Sequence, residues 1–272
     1  MPAPPIAFDE LPSGVRTAIE AETGPNLRIE NIATGLNSSL SARAHTTGGA
    51  VFLKGLRTDH RWVWTQQREA DINPYVTPLA PHLLFHVIAD GWNVLGFENI
   101  DGHHADYSPG SPDLPKVTDA LQELASLPCP DIELRHAEQR LASYVPHPAD
   151  ADVFKGDALL HTDWNSHNVL ITNRRAHLVD WGWATRGAVW LDPAHWIIWL
   201  IGAGHTPAEA EDLAARLPAW ESAPPRAVDA FAHASAKLWN EIAGADPDDW
   251  TRQLLAAALR WHRHRRSAAA GE

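Results

Sequence analysis

The segment LLHTDWNSHNVLITNRRAHLVDWGWA, Leu159–Ala184, sets Asp163, Asn168 and Asp180 among apolar runs. A carboxylate beside a β-branched run weakens a strand, so the pattern opposes plain folding. Three oxygen-bearing side chains at these intervals suit a hard cation. Magnesium takes oxygen ligands, keeps several waters and is usually shared with substrate phosphates. Asn168 and Asp180 would be its protein ligands, and Asp163 would orient and deprotonate an attacking hydroxyl. Phosphoryl transfer divides its labour in this way.

The elements that must position these residues are short. Val169–Ile171 and His177–Val179 read as strands joined by the turn TNRRA. With that turn centred near Arg174, antiparallel pairing sets Asn168 opposite Asp180–Trp181, and Asp163 lies in a loop just before that end.

Upstream, strands are expected around Leu27–Ile32, Ser39–His45 and Ala50–Leu56, with TTGG as a turn. A helix should follow over Arg61–Ile72, ended by Asn73-Pro74. HLLFHVIAD and WNVLGFENI read as two more strands flanking a turn at Asp90-Gly91. Past Asn99–Gly102 helical periodicity takes over, with Leu114, Val117, Leu121 and Leu124 on one face. Two domains are expected, 1–100 with the small sheet and 101–272 mainly helical. Thr206-Pro207 with Glu209 forms a capping box, and Asp192-Pro193 and Asp246-Pro247 repeat the cap-plus-proline pattern.

Composition narrows the class. A chain of 272 residues with 44% hydrophobic residues can bury a sizeable core in one large domain or two lobes. The lone Cys129 excludes an internal disulfide framework and fits a reducing compartment. No apolar run approaches the roughly 20 residues of a membrane span, and the first residues lack a secretory pattern. A cytoplasmic protein is therefore expected. A net charge of −12 argues against nucleic-acid binding. The basic stretch RWHRHRR, Arg260–Arg266, is expected to end a helix and stay solvated.

HTDWNSHN resembles the H-x-D-x-x-x-x-N catalytic loop of the protein-kinase-like fold, and DWG resembles its metal-binding D-F-G turn. GAVWLDPAHW is similar to the G-x-x-x-x-D-x-A stretch of the aminoglycoside phosphotransferase and choline kinase family. The resemblance covers nearly the whole chain, and it implies an α+β, bilobal protein-kinase-like fold. It further implies ATP (or GTP) and magnesium as cofactors, Asp163 as catalytic base, and Asn168 and Asp180 as metal ligands. Lys54, in the apolar stretch AVFLKGL of a chain with four lysines, would reach the α- and β-phosphates, paired with Glu69 of QQREAD. The phosphate-covering loop departs from G-x-G-x-x-G: ATGLNSSLSA offers Gly35, followed by Ser38 and Ser39. Backbone amides and serine hydroxyls in a turn can still hold phosphate oxygens, and the same segment reads equally as a plain hairpin. Glu98 and Ile100, in the link between lobes, would contact adenine through backbone groups. His161 would hold the loop through its ring.

Nine residues separate Gly182 from Asp192, which leaves no long segment for docking a polypeptide. A small-molecule hydroxylated acceptor is expected instead, and a cationic, aminoglycoside-like one given the charge of −12. Glu221, Asp229, Glu241, Asp246, Asp248 and Asp249 are candidates to hold an amine. Two alternatives stand beside this reading. One is a nucleotide-binding, pseudokinase-like regulator. The other is a metal-dependent hydrolase built on His161, Asp163, His167, His177 and Asp180. Most of the thirteen tryptophans should be core; Trp164, beside Asp163, could instead line an acceptor site.

Overall fold

A computed structural model describes residues 6–25, 27–32 and 38–269 of the chain. The chain divides into two compact units, Met1–Asp101 with Val179–Trp183, and Gly102–Leu178 with Ala184–Glu272. The D-W-G turn thus belongs with the first unit.

The first unit begins with α1 (Ser13–Thr23) and continues through β1 (Arg28–Asn31), β2 (Leu40–Thr46) and β3 (Gly49–Arg57). Helix α2 (Trp64–Val76) and the hairpin of β4 (Leu83–Ala89) and β5 (Trp92–Glu98) complete it. The five strands form one antiparallel sheet in the order β1-β2-β3-β5-β4. Asp90 and Gly91 both adopt positive φ, 44° and 78°, as a two-residue hairpin turn requires. Val15 and Ile19 of α1 pack with Leu40, Leu53, Phe85 and Val94 in the core.

Helix α2 starts three residues later than expected and ends four later. It runs through Pro74 to Val76. Proline there removes one bond of the last turn, and burial of Ile72 and Val76, both fully inaccessible, offsets that loss. The helix also buries a polar stripe, Gln66, Glu69 and Asn73, at positions i, i+3 and i+7. Gln66 donates to the side-chain and backbone oxygens of Asn93 at 2.7 and 2.8 Å and accepts from the Leu56 amide at 3.2 Å. Asn73 donates to the Pro81 carbonyl and accepts from the Leu83 amide, each at 2.8 Å.

The second unit opens with β6 (His103–His104), α3 (Leu114–Ser126), β7 (Arg135–His136) and α4 (Ala137–Leu141). Then come β8 (Ala158–Leu160), β9 (Val169–Ile171), β10 (Ala176–Leu178) and β11 (Thr185–Gly187). Helices α5 (Leu191–Gly202), α6 (Pro207–Ala214), α7 (Pro218–Glu221), α8 (Pro225–Ala243) and α9 (Asp249–Ala269) follow. Two small sheets, β10-β9-β6 and β7-β11-β8, carry the loops between them. Phe231 packs edge-on against Phe154, Trp190 and Trp261 at 5.9–6.1 Å, which joins α8 to α9 and to the loops before β8 and α5. The expected face of α3 is buried throughout.

Of the three expected caps, one stands as read. Thr206 and Glu209 form the capping box of α6. Asp192 instead lies inside the first turn of α5 and turns its carboxylate away from the helix. Asp246 gives way to Asp248, which accepts from the Thr251 amide at 2.7 Å. The basic stretch also differs from expectation. Arg265 bonds Asp229 at 2.7 Å and Glu211 at 3.3 Å, and Arg260 donates to the Ile201 carbonyl at 2.6 Å, so these cations tie α9 to its neighbours. Among the described residues no helix is long and apolar enough to cross a membrane.

Candidate active site

Lys54 lies on β3, in register with Ser41 of β2 and Leu95 of β5, so both neighbouring strands hold its backbone. Its Nζ donates to Glu69 Oε2 at 2.7 Å and to Asp180 Oδ1 at 2.8 Å. Burial works to lower the Lys54 pKa, but Asp180 and then Glu69 oppose it and raise the pKa well above the usual lysine range. Burial pushes the Glu69 carboxyl upward, against the pull of Lys54. The lysine is therefore charged and fixed between two carboxylates.

Glu69 makes a second bond. Its Oε1 accepts from the Trp181 amide at 3.3 Å, which ties α2 to the D-W-G turn. Asp180 sits in the left-handed region at φ 64°, costing about 1–3 kcal/mol for a residue with a Cβ. Gly182 has no room for a side chain, because a Cβ there would lie 2.7 Å from the Thr65 Cβ. Trp62, Trp64 and Trp183 meet edge-on at 5.1–6.2 Å on the same side of α2.

The catalytic-type loop is built in the second unit. Strand β8 ends at Leu160, and the backbone then turns through Thr162 at φ 67°. The buried Asp192 accepts from the His161 amide at 2.9 Å and from the Thr162 amide at 2.8 Å. Burial raises the Asp192 pKa, against the lowering by those amides. The His161 ring does hold the loop, since its Nδ1 accepts from the Asp163 amide at 3.3 Å. Arg140 of α4 donates to the Thr162 hydroxyl at 2.8 Å and to the Thr185 hydroxyl at 2.5 Å. Burial of the guanidinium and the nearby Arg135 lower its pKa to about 10, against the pull of Asp163 and Asp192.

Asn168 lies in the same loop as Asp163, and its Nδ2 donates to the Asp163 carbonyl at 3.2 Å. That leaves the amide oxygen as the end suited to a cation. The Asn168 amide oxygen in the second unit and the Asp180 carboxylate in the first are each a hard oxygen donor of the kind magnesium takes. Among the described residues no three His, Cys, Asp or Glu side chains gather as metal ligands.

The hairpin register is one step off the expected one. Strand β10 is Ala176–Leu178, not His177–Val179, and Leu178 pairs with Val169 at the open end. Asn168 and Asp180 both lie beyond the ladder, and the turn centres between Asn173 and Arg174. Arg175 supports that turn by pairing with Glu123 of α3.

Among the residues named for nucleotide, Gly35 lies outside the described ones. Ser38 shares a 2.7 Å hydrogen bond with the Ser41 hydroxyl. The Ser39 amide donates to the Gly55 carbonyl at 2.9 Å, as part of the sheet. The Glu98 amide donates to the His82 carbonyl at 2.9 Å, and its carboxylate accepts from the His82 amide at 3.3 Å. An adenine contact from Glu98 would therefore use its carbonyl. Ile100 is half-buried just past β5.

Trp164 is fully buried and packs edge-on against His161 at 6.0 Å, so it supports the loop and lines no surface. Sequence reasoning missed Arg140, Gln66 and Asn73, and gave Asp192 the wrong partner. The last three carried a signal: QQREADIN places three polar residues on the buried face of one helix, and an acid before proline also suits loop amides.

No family model matches the sequence, and no curated protein is significantly similar to it. Many solved structures are similar. Choline kinase LicA from Streptococcus pneumoniae superposes with a TM-score of 0.63 at 14% identity, over 92% of this chain and 99% of that one. A thermostable mutant of aminoglycoside phosphotransferase APH(4)-Ia, solved as a ternary complex with AMP-PNP and hygromycin B, also gives 0.63 at 14% identity, over 94% and 99%. The aminoglycoside phosphotransferase of Alicyclobacillus acidocaldarius gives 0.58 at 13%, over 100% and 98%. The fold is therefore α+β and protein-kinase-like. It is the fold that aminoglycoside phosphotransferases and choline kinases share.

Proposed function

We propose that the protein is a phosphotransferase that moves the γ-phosphoryl group of ATP to a hydroxyl of a small, cationic molecule. The observation that carries this reading is Lys54 Nζ held at 2.7 Å from Glu69 and 2.8 Å from Asp180. A charged lysine fixed in this way is placed to meet anionic phosphate oxygens without first being ordered. Asp163 acts as the base for the acceptor hydroxyl, and Asp180 and Asn168 supply oxygens for magnesium. Bound magnesium would neutralise charge on the phosphates. Glu98 and Ile100 meet adenine through their backbone, and Gly35, Ser38 and Ser39 belong to the phosphate-covering loop.

Retention of Lys54, Asp163, Asn168 and Asp180 together supports an enzyme over a nucleotide-binding regulator. A thermostable mutant of APH(4)-Ia, solved as a ternary complex with AMP-PNP and hygromycin B, supports a site in this fold that takes a nucleotide and a second small molecule together. For a cationic acceptor here, support comes from the overall charge of −12. Local acids support it less, because Asp229, Asp248 and Asp249 already bond Arg265, Thr251 and Arg252. Glu221, Glu241 and Asp246 are exposed and remain candidates.

The deciding experiment is an ATP-consumption screen with magnesium against hygromycin B, other aminoglycosides, choline and neutral sugars of matched size, repeated at rising salt. Turnover with amino-bearing acceptors that weakens with salt is expected. Preference for neutral sugars, unaffected by salt, would leave an alcohol or sugar kinase, and no consumption with any acceptor would sink the enzymatic reading.

A further inference from the structure

We propose that Arg140 is a positioning residue for Asp163 and acts through the strained backbone of Thr162. The proposal rests on the phosphotransferase reading of Asp163 and adds a residue outside the recognised motifs.

Thr162 precedes Asp163 directly, so rotation about its φ re-aims the Asp163 side chain. Its φ of 67° is a conformation that a glycine adopts freely and a β-branched residue rarely does. Two of its bonds matter here. The first, from the Thr162 amide to Asp192 at 2.8 Å, would serve a glycine as well. The second needs both side chains present: the Thr162 hydroxyl accepts from Arg140 Nη1 at 2.8 Å.

The same nitrogen donates to Thr185 Oγ1 at 2.5 Å, and Thr185 is fully buried on β11. Thr185 pairs with Leu160, the last residue of the strand that leads into the loop. Arg140 therefore bridges the strained residue to the strand beside its own root. Both bonds come from one nitrogen, which the planar guanidinium holds in a fixed place; a lysine ammonium, with rotatable donors on a flexible stem, would not be fixed there. A threonine in a glycine-type conformation, clamped by a cation on a five-residue helix, amounts to a device for aiming the next side chain.

The test compares Arg140→Lys in the natural background and in a Thr162→Gly background, using the full chain. Three quantities are read: magnesium–ATP hydrolysis across pH 5–9, the Kd for magnesium–ATP, and amide hydrogen exchange at residues 161–163. Arg140→Lys is expected to lower hydrolysis by about tenfold or more with Kd within about twofold. Exchange of those amides should rise by a similar factor. Both losses should shrink below about threefold when the strain is removed by Thr162→Gly, each measured against its own baseline.

A merely structural arginine would give the same loss in both backgrounds, and that result overturns the proposal. Wild-type hydrolysis and wild-type loop protection in Arg140→Lys overturn it too. Should that variant not fold, Thr162→Val keeps the β-branched strain, puts a methyl group in place of the hydroxyl, and is expected to show the same rise in exchange; unchanged exchange rejects the idea. If the wild-type protein consumes no ATP with any acceptor of the screen above, the phosphotransferase reading fails, while loop exchange still decides whether Arg140 holds Thr162.

Discussion

Lys54 Nζ donates to Asp180 Oδ1 at 2.8 Å although 126 residues of chain separate them. The same nitrogen donates to Glu69, so one cation joins a strand, a helix and a left-handed turn. Removing it takes the Nζ cation away from both carboxylates. Lys54→Met should destabilise the protein by about 3–5 kcal/mol, and the Lys54→Met, Glu69→Leu pair should recover part of that loss. Chemical denaturation of the two variants checks this; equal stability of both would mean the ion pair contributes little.

Asp163→Asn should leave magnesium–ATP affinity near wild type and lower turnover by roughly a hundredfold or more, as loss of a general base does. Steady-state rates beside a direct binding measurement decide it. Retained turnover would remove Asp163 from the mechanism.

Asp180→Ala should abolish the magnesium-dependent part of the thermal stabilisation that nucleotide provides, because a ligand stabilises only the state that binds it. Melting curves with ATP, with and without magnesium, report this. Strong stabilisation by zinc alone, lost in the same variant, would favour a hydrolase.

Gly182→Ala places a methyl group 2.7 Å from the Thr65 Cβ. Either the turn or the first turn of α2 must shift. Nucleotide affinity should fall by about tenfold with stability reduced by about 1–3 kcal/mol, the usual range for an overpacked site. A titration of magnesium–ATP against the variant checks it, and wild-type affinity would show that the turn tolerates movement.

Burial lowers the His195 pKa to about 3. The folded protein thus keeps this ring neutral where the unfolded chain protonates it, near pH 6.5. Below that pH the unfolded state binds more protons, so stability falls as pH falls. The loss is at most about 1.4 kcal/mol per pH unit from this group, continuing to about pH 3. Urea midpoints at pH 7, 5.5 and 4.5 should decline less steeply in His195→Gln than in the natural protein.

The D-G hairpin and the amphipathic α3 were legible because backbone demands and hydrophobic period spoke locally. Asp163, Asn168 and Asp180 stood out for the opposite reason, as oxygen-bearing residues placed where folding alone would not put them. Arg140 was not legible. Its five-residue helix has no period to read, and its partners Thr162 and Thr185 lie 22 and 45 positions away. Positive φ at Thr162 leaves no mark in residue type, since threonine is the wrong residue for it. Asp192 was misread because an acid before proline commonly caps a helix, while the buried loop amides exert the stronger demand.

The polar stripe of α2 has a consequence for control. A helix that rocks between two positions needs both to be close in energy. Displacing α2 would strip Gln66, Glu69 and Asn73 of their buried partners at once, with a penalty of about 1–3 kcal/mol for each. Even at the low end of that range, fewer than about one molecule in a hundred would sit in the displaced position. Helix α2 is thus a fixed wall and not a lever, and an effector seeking to switch this protein off has to compete for its ligands rather than pull on its frame.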